Sequence, residues 1–334
     1  MAIDIAINGL GRIGKCIIRA VAEKCVDGIN IVSVNGSGSV EDYASLLKYD
    51  SVHGKFHGEI SCRENVITIG DQKIKLFSKT TPEHIPWDET SAQIVLECTG
   101  KLKKKADAEK HLKGNVKKVI ISAPSSDADA TIVYGVNDHI LGPEHKIISI
   151  GSCTTNALAP ILKVLDSSVG IESGYMTTIH AYTNDQNILD NRHSDIRRAR
   201  ACGLSMIPTS TGAAKAIGLV LPGLKGKLAG SAIRVPVPNV STIDLSFIAK
   251  NKTSKAEINS LIENAAKSEM KNIIAIADSK LVSIDFNHTT YSTTFDPFET
   301  EVVNDNFVRI LSWYDNEWGF SNRMLDVSKA LIKF

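Results

Sequence analysis

Ile3-Asp4-Ile5-Ala6-Ile7-Asn8-Gly9-Leu10-Gly11-Arg12-Ile13-Gly14 decides the fold of the first half of this chain. Residues 3–7 carry the apolar side chains of a buried strand, and an amphipathic helical pattern over 12–24 follows at once. At the junction Gly9, Gly11 and Gly14 spell G-x-G-x-x-G. In a strand–turn–helix setting the first glycine allows a tight turn, the second lets backbone approach a pyrophosphate, and the third permits close packing of helix on strand. The N–H groups that open the helix then seat the pyrophosphate. A second apolar run at 29–34 completes a β-α-β unit, whose crossover is expected to be right-handed. The competing reading of the motif is a structural glycine turn. The strand before it and the helix after it favour a dinucleotide.

Working outward, further apolar runs at 94–98, 118–122, 130–134 and 146–150 suit parallel strands covered on both faces. Segments within 57–77 (HGEISC, NVITIG, KIKLF) read as short antiparallel strands joined by polar turns. The basic stretch 101–118 lacks interleaved aromatics and reads as a solvated helix face rather than a polyanion site. After about residue 151 the pattern changes. A helix over 154–165 leads to long strand-like runs at 174–181, 227–235 and 240–249, as in a mostly antiparallel sheet with helices on one face. Residues 182–210 are polar, arginine-rich and without periodicity, and a loop of that length in a compact domain is usually functional. A strand over 307–313 and a helix over 322–332 close the chain. The expected class is α/β: a Rossmann dinucleotide-binding domain followed by an α+β domain, and 334 residues suit two cores better than one.

Composition narrows the function. Lysine and arginine balance aspartate and glutamate to a formal net charge of +1, which gives no global pull toward nucleic acid or an anionic membrane. No apolar stretch approaches the ~20 residues of a membrane span, and the first residues show no signal-peptide pattern. Cys16, Cys25, Cys62, Cys98, Cys153 and Cys202 are scattered without a CxxC pair, so neither a metal site nor a disulfide framework is expected. A reducing cytoplasm is the expected compartment.

Cys153, in Ser152-Cys153-Thr154-Thr155-Asn156, stands where a helix begins, and unpaired N–H groups and the helix dipole there favour a thiolate. A nearby base raises the ionised fraction further, and His180, at the end of the apolar run 175–179, is the leading candidate among nine histidines. Spacing alone does not bring the two together. Taken singly, a buried apolar cysteine and a satisfied strand-end histidine are equally open.

INGLGRIG (7–14), SCTTN (152–156), TTIHAYTNDQ (177–186), STGAAKA (210–216), RVPVPNVS (234–241) and SWYDNEWGFSNR (312–323) follow one another along the chain. In that order they resemble the successive signatures of the phosphorylating glyceraldehyde-3-phosphate dehydrogenases, over essentially the whole length. The resemblance implies a dinucleotide-binding domain over 1–151, completed by a C-terminal helix over 318–334, and a catalytic domain over 152–317. It implies Cys153 as nucleophile and His180 as base in a reaction through a Cys153 thioester. Thr183 and Arg234 match positions for the substrate phosphate. Ser152, Thr154, Arg198, Thr211 and Gly212 match positions around the thiol and the attacking inorganic phosphate. Gly9, Gly11, Arg12, Ile13 and Gly14, with Asn35, Gly36, Thr99, Gly100, Ser122 and Asn316, match the cofactor positions. NAD, a homotetramer and a cytoplasmic enzyme acting on glyceraldehyde 3-phosphate complete the implied picture, with no metal, nucleic acid or membrane partner.

Some positions depart from the family pattern. Ala157 replaces a frequent second cysteine, Ile150-Gly151 a frequent Asn-Ala pair, and Phe320 a usual tyrosine. Gly36 stands where NAD-selective members carry an aspartate that repels a 2′-phosphate, and Asn191-Arg192 stands where many have Leu-Pro. Use of NADP beside NAD is the resulting expectation. Two alternatives stay open: erythrose-4-phosphate dehydrogenase, which shares segments like those at 129–137 and 283–288 but lacks STGAAKA, and a non-catalytic nucleotide-binding protein of the same fold.

Overall fold

In the computed structural model, residues 2–23 and 27–331 are described. The chain divides into two compact units: Met1–Tyr134 with Asp138–Ser152 and Phe320–Phe334, and Cys153–Gly319 with Gly135–Asn137.

The first unit opens on β1 (Ile3–Asn8), α1 (Arg12–Ala22) and β2 (Ile29–Asn35). There follow α2 (Val40–Lys48), the short ribbon β3 (Tyr49–Asp50) and β4 (Gly54–Lys55), then β5 (Ile60–Arg63), β6 (Val66–Ile69) and β7 (Gln72–Phe77). β8 (Ile94–Glu97), α3 (Lys105–Glu109), β9 (Lys118–Ile121), β10 (Ala130–Thr131) and β11 (Ile147–Ser149) complete it. Nine strands form one sheet in the order β10-β11-β9-β8-β1-β2-β7-β6-β5. The run from β10 to β7 is parallel, and β6 and β5 fold back antiparallel onto its edge. The uninterrupted apolar strands are those buried on both faces: every residue of β8 and β9 is buried. Ala6, Phe77, Trp87, Val95, Val119 and Ile121 knit one core across strands of this sheet and the segment after β7.

The second unit begins with α4 (Cys153–Ser168), β12 (Ile171–Ala181), β13 (Ile207–Ser210) and α5 (Ala213–Val220). It continues through β14 (Leu228–Val235), β15 (Ser241–Ala249), α6 (Lys255–Lys267), β16 (Ile274–Ile276), β17 (Thr293–Val303) and β18 (Phe307–Tyr314); α7 (Trp318–Leu331), which ends the described chain, belongs from Phe320 on to the first unit. Its seven strands run β13-β14-β12-β15-β18-β17-β16, antiparallel except at β14·β12 and β16·β17.

Several boundaries differ from the sequence reading. The helix expected over 154–165 starts at Cys153 and continues through Pro160 to Ser168, three residues past Leu165, the last of its buried residues. The loop expected over 182–210 ends in β13, which pairs with β14. Of the basic stretch 101–118 only Lys105–Glu109 is helical. Lys118 is buried in β9, and its Nζ donates to the carbonyls of Pro143 and His145. The strand expected over 130–134 shortens to Ala130–Thr131. The last helix starts at Trp318, four residues early, where Asp315 Oδ1 accepts from the N–H groups of Glu317 and Trp318. Cys25, the end of the helix expected over 12–24, and residues 332–334 lie outside the described residues.

Candidate active site

In the first unit, β1 pairs with β2 on one side and β8 on the other, all parallel, so the chain reverses direction across the sheet beside Gly9. Open α/β sheets bind ligands at such a switch point, beyond the carboxyl ends of the strands. A cavity of about 640 Å³ lies there, lined by Gly9, Gly11, Asn35, Gly36, Tyr43 and Thr99 among others. Gly9 has φ +99°, and a Cβ on it would lie 2.7 Å from Thr99 N. A Cβ on Gly14 would lie 2.2 Å from Gly9 O, so α1 can start this close to the turn only without a side chain there. Among the described residues no side chain caps α1, and its first turn carries no acidic residue. An anion is therefore the fitting partner for that terminus.

The other predicted cofactor positions have distinct surroundings. Arg12 spends its guanidinium on Asp50, at 2.6 and 3.0 Å. Burial opposes ionisation of Asp50, but Arg12 and the N–H groups of His53 and Val52 more than offset it, and the carboxyl lies well below the usual range. Ile13, in the first turn of α1, follows it. The Asn35 amide ties β1 to the loop after β7, donating to Asn8 Oδ1 (2.9 Å) and Lys79 O (3.0 Å) and accepting from Lys79 N (2.9 Å). Thr99 donates through N–H (2.8 Å) and hydroxyl to Glu97 Oε1. Gly100 and Ser122 sit just past the ends of β8 and β9, Ser122 N–H donating to Glu97 O at 3.0 Å.

In the second unit, Cys153 is the first residue of α4 and His180 the penultimate residue of β12, and their side chains meet: Sγ lies 3.4 Å from Nε2. His180 Nδ1 is 2.7 Å from Ala181 O, which can only accept. Nδ1 therefore carries the proton, and Nε2 presents its lone pair to the thiol. Arg234 Nη1 is 3.1 Å from both Nδ1 and Ala181 O, and with Nδ1 protonated it donates to the carbonyl.

Hydrogen bonds at the start of α4 favour the Cys153 thiolate, and burial opposes it. Burial pushes the thiol up from its ordinary value, against Arg234 and hydrogen bonds at Thr154. Burial, then Arg234, lowers His180 to about 3. Each group alone is held neutral. Were the proton to pass from Sγ to Nε2, the opposite charges left in contact would stabilise each other.

Around this pair lie the predicted anion residues. Arg234 Nε is buried with no hydrogen-bond partner among the described residues, a donor that an anion would satisfy. Arg198 reaches Thr209 Oγ1 (2.9 Å), Ser210 O (3.2 Å) and Asp185 Oδ2 (2.5 Å). Thr211 and Gly212 form the N-terminal side of α5, Thr211 Oγ1 accepting from Ala213 N at 3.2 Å. Thr183 follows β12 by two residues and is half-buried. Ser152 directly precedes α4. Thr154 points its hydroxyl to Tyr314 Oη (2.9 Å), so its offer to a ligand near the thiol is its N–H. Asn316 accepts from Ser241 Oγ at 2.8 Å, which in turn accepts from Ala181 N at 3.1 Å, linking it to the histidine strand.

Two family models match the chain: glyceraldehyde 3-phosphate dehydrogenase, NAD binding domain, over residues 3–105, and glyceraldehyde 3-phosphate dehydrogenase, C-terminal domain, over 152–316. Glyceraldehyde-3-phosphate dehydrogenase of Xanthobacter flavus is 52% identical over 333 residues, covering 100% of this chain and 99% of the relative. That of Cereibacter sphaeroides is 49% identical, covering 99% of each. Glyceraldehyde-3-phosphate dehydrogenase 1 of Bacillus cereus is 49% identical, covering 97% of each.

The chain belongs to the glyceraldehyde-3-phosphate dehydrogenase family.

As a member of that family it is an NAD-dependent oxidoreductase, and the NAD-binding match falls on the unit with the glycine turn. Two features of this glyceraldehyde-3-phosphate dehydrogenase fold escaped the sequence reading. Tyr314 is buried, bonds Thr154 and Thr178 (2.8 Å), and meets the His180 ring edge-on at 5.9 Å. Its place in SWYDNEWGFSNR was the available signal. Glu97, buried under the crevice, accepts from Asn8 Nδ2 (2.6 Å) and lies 3.2 Å from His111 Nε2, whose Nδ1 accepts from Trp87 Nε1 (3.0 Å). Nothing in the sequence marks those long-range pairs.

Proposed function

We propose that the chain catalyses the oxidative phosphorylation of glyceraldehyde 3-phosphate to 1,3-bisphosphoglycerate through a thioester on Cys153. The observation that carries this is the 3.4 Å approach of Cys153 Sγ to an unprotonated His180 Nε2, at a helix start beside a buried arginine donor without a partner among the described residues. Sγ attacks the aldehyde carbon while His180 Nε2 takes the thiol proton, giving a thiohemiacetal. The Thr154 N–H at the start of α4 is suited to steady the oxyanion, and the imidazolium adds a second donor. In the first unit the glycine turn, the start of α1 and Thr99 would hold NAD, which when bound would supply the hydride acceptor for the oxidation to the thioester. His180 first returns the thiol proton to the oxyanion, which gives the thiohemiacetal hydroxyl and restores the neutral imidazole, and Nε2 takes it back as the carbonyl re-forms. A phosphate oxygen then attacks the thioester carbon, the C–S bond breaks, and the thiolate leaves. Arg234 and Thr183 seat the substrate phosphate. Arg198, Thr211, Gly212 and Ser152 seat the attacking one, because guanidinium groups and helix N–H groups bind phosphate by directed, charge-assisted hydrogen bonds.

The proposal extends to a cytoplasmic homotetramer that accepts NADP beside NAD. Full-length similarity to bacterial relatives supports the compartment, and no helix among the described residues is long and apolar enough to cross a membrane. A steady-state assay tests the function, comparing glyceraldehyde 3-phosphate with erythrose 4-phosphate and reactions with and without inorganic phosphate. Phosphate-dependent turnover that favours glyceraldehyde 3-phosphate is expected. A preference for erythrose 4-phosphate, or no turnover of either, contradicts the proposal.

A further inference from the structure

Glu97 ends β8 with its carboxylate sealed from solvent, the residue being 1% exposed. Oε1 accepts from the N–H (2.8 Å) and the hydroxyl of Thr99. Oε2 faces Asn8 Nδ2 at 2.6 Å and His111 Nε2 at 3.2 Å. Both of these are donors, and their neighbours fix them so. Lys79 N–H donates to Asn35 Oδ1 (2.9 Å), Asn35 Nδ2 therefore turns to Asn8 Oδ1 (2.9 Å), and Asn8 Nδ2 is left for Glu97. Trp87 Nε1 can only donate, so His111 Nδ1, 3.0 Å away, accepts, and the histidine carries its one proton on Nε2. Four donors occupy the lone pairs of an ionised carboxylate and leave no place for a proton. The histidine is neutral, and among the described residues no lysine or arginine pairs with Glu97.

A buried charge held by hydrogen bonds alone is costly, and apolar packing of the same volume would serve a plain core as well. What this charge holds is the floor of the crevice. A Cβ on Gly9 would lie 2.7 Å from Thr99 N, so the Thr99 peptide packs directly on the glycine turn, and Glu97 grips that peptide from the other side. Through Asn8 and Asn35 the same carboxylate is joined to Lys79, so one chain of hydrogen bonds crosses the ends of β8, β1 and β2 to the loop after β7. Asn8, Asn35, Lys79 and Thr99 line the cavity, whereas Glu97, His111 and Trp87 lie behind them.

We propose that Glu97 and His111 are positioning residues for the cofactor: the histidine orients a buried carboxylate that sets Thr99 and the glycine turn in the arrangement that binds NAD, without touching the ligand. The inference rests on the reading of this crevice as the NAD site, and the test separates the two. Calorimetric titration of the whole enzyme with NAD is combined with steady-state kinetics, and thermal unfolding reports on the fold. His111→Leu removes the donor to Glu97 and the acceptor for Trp87. It is expected to weaken NAD binding and raise KM for NAD by about ten- to a hundredfold, the scale of one hydrogen bond to a charged group. Its kcat and its KM for glyceraldehyde 3-phosphate should stay within about threefold of wild type, the pattern of lost uniform binding. Glu97→Gln keeps the shape but sets an amide N–H among four donors, and the same pattern is expected. His111→Gln offers one acceptor and one donor and is expected to bring NAD affinity back to within about fivefold of wild type. A purely structural role would lower the unfolding temperature and leave NAD affinity alone. Wild-type NAD affinity in folded His111→Leu or Glu97→Gln, or no recovery in His111→Gln, therefore overturns the positioning role while leaving the crevice as the NAD site. Failure of both His111→Leu and Glu97→Gln to fold marks the network as a support of the core alone and overturns it too. Failure of the wild type to bind NAD overturns the reading of the crevice and the inference with it.

Discussion

Cys153 and His180 are 27 positions apart in the chain, yet α4 begins and β12 ends at the same point in the second unit, where Sγ meets Nε2 at 3.4 Å. Cys153→Ser is expected to abolish turnover while NAD affinity stays near wild type, because a serine hydroxyl is a poorer nucleophile and a poorer leaving group. His180→Asn should lower kcat by about 10²–10⁴-fold, the range of general acid–base catalysis. It should also move the pH dependence of alkylation. Burial alone raises the Cys153 thiol, so without its partner the thiolate forms only at higher pH, and iodoacetamide inactivation should shift upward relative to wild type. An unshifted inactivation profile in His180→Asn would show that the two do not ionise as a pair. The arginines divide by surroundings: Arg198→Ala should raise KM for inorganic phosphate more than for aldehyde, and Arg234→Ala should do the reverse or raise both. Effects of about ten- to a hundredfold correspond to one charge-assisted hydrogen bond. Steady-state kinetics with each substrate varied checks this, and unchanged constants for both substrates would refute the assignment.

At the scale of elements, what the sequence made legible was periodic or punctuated. β1, α1 and β2 follow from an apolar strand, a glycine turn and an amphipathic helix, and α4 from SCTTN and the buried run after it. Elements that escaped are short or broken. α2 is only nine residues, and the Ser39–Asp42 capping box that opens it went unread. β17 is broken by Pro297, where its register with β18 slips between Asp296 and Glu301. The Cys153–His180 pair was legible only as two candidates, because no spacing encodes a contact between a helix start and a strand end. Glu97 with His111 is settled by packing alone. The glycine turn supplies the test at this scale. Gly14→Ala puts a methyl 2.2 Å from Gly9 O, so α1 must shift or the turn must open. A loss of about 1–3 kcal/mol in stability, as for overpacking elsewhere, is expected together with roughly tenfold or greater weakening of NAD binding. Thermal unfolding and an NAD titration check it, and a variant matching wild type in both would remove the physical reason given for that glycine.

For the whole molecule, the segment between β12 and β13 exposes Ile188 (81%), Leu189 (74%), Ile196 (79%), Leu204 (86%) and Met206 (74%). Exposed apolar residues gathered in one segment mark an interaction surface, which supports the proposed homotetramer. Light scattering at assay concentration is expected to give four times the 36.1 kDa chain mass, and a fully active monomer would reject it. The proposed reaction turns on a covalent step that belongs to Cys153 and on phosphate as the acceptor. The most direct test mixes enzyme, NAD and glyceraldehyde 3-phosphate without inorganic phosphate, quenches rapidly, and identifies the modified peptide by mass spectrometry. The expected result is a burst of reduced cofactor matching the enzyme concentration, an acyl group on Cys153, and its discharge when phosphate is added. Sustained turnover without phosphate, or an enzyme that reduces NAD with Cys153 never acylated, would contradict the account.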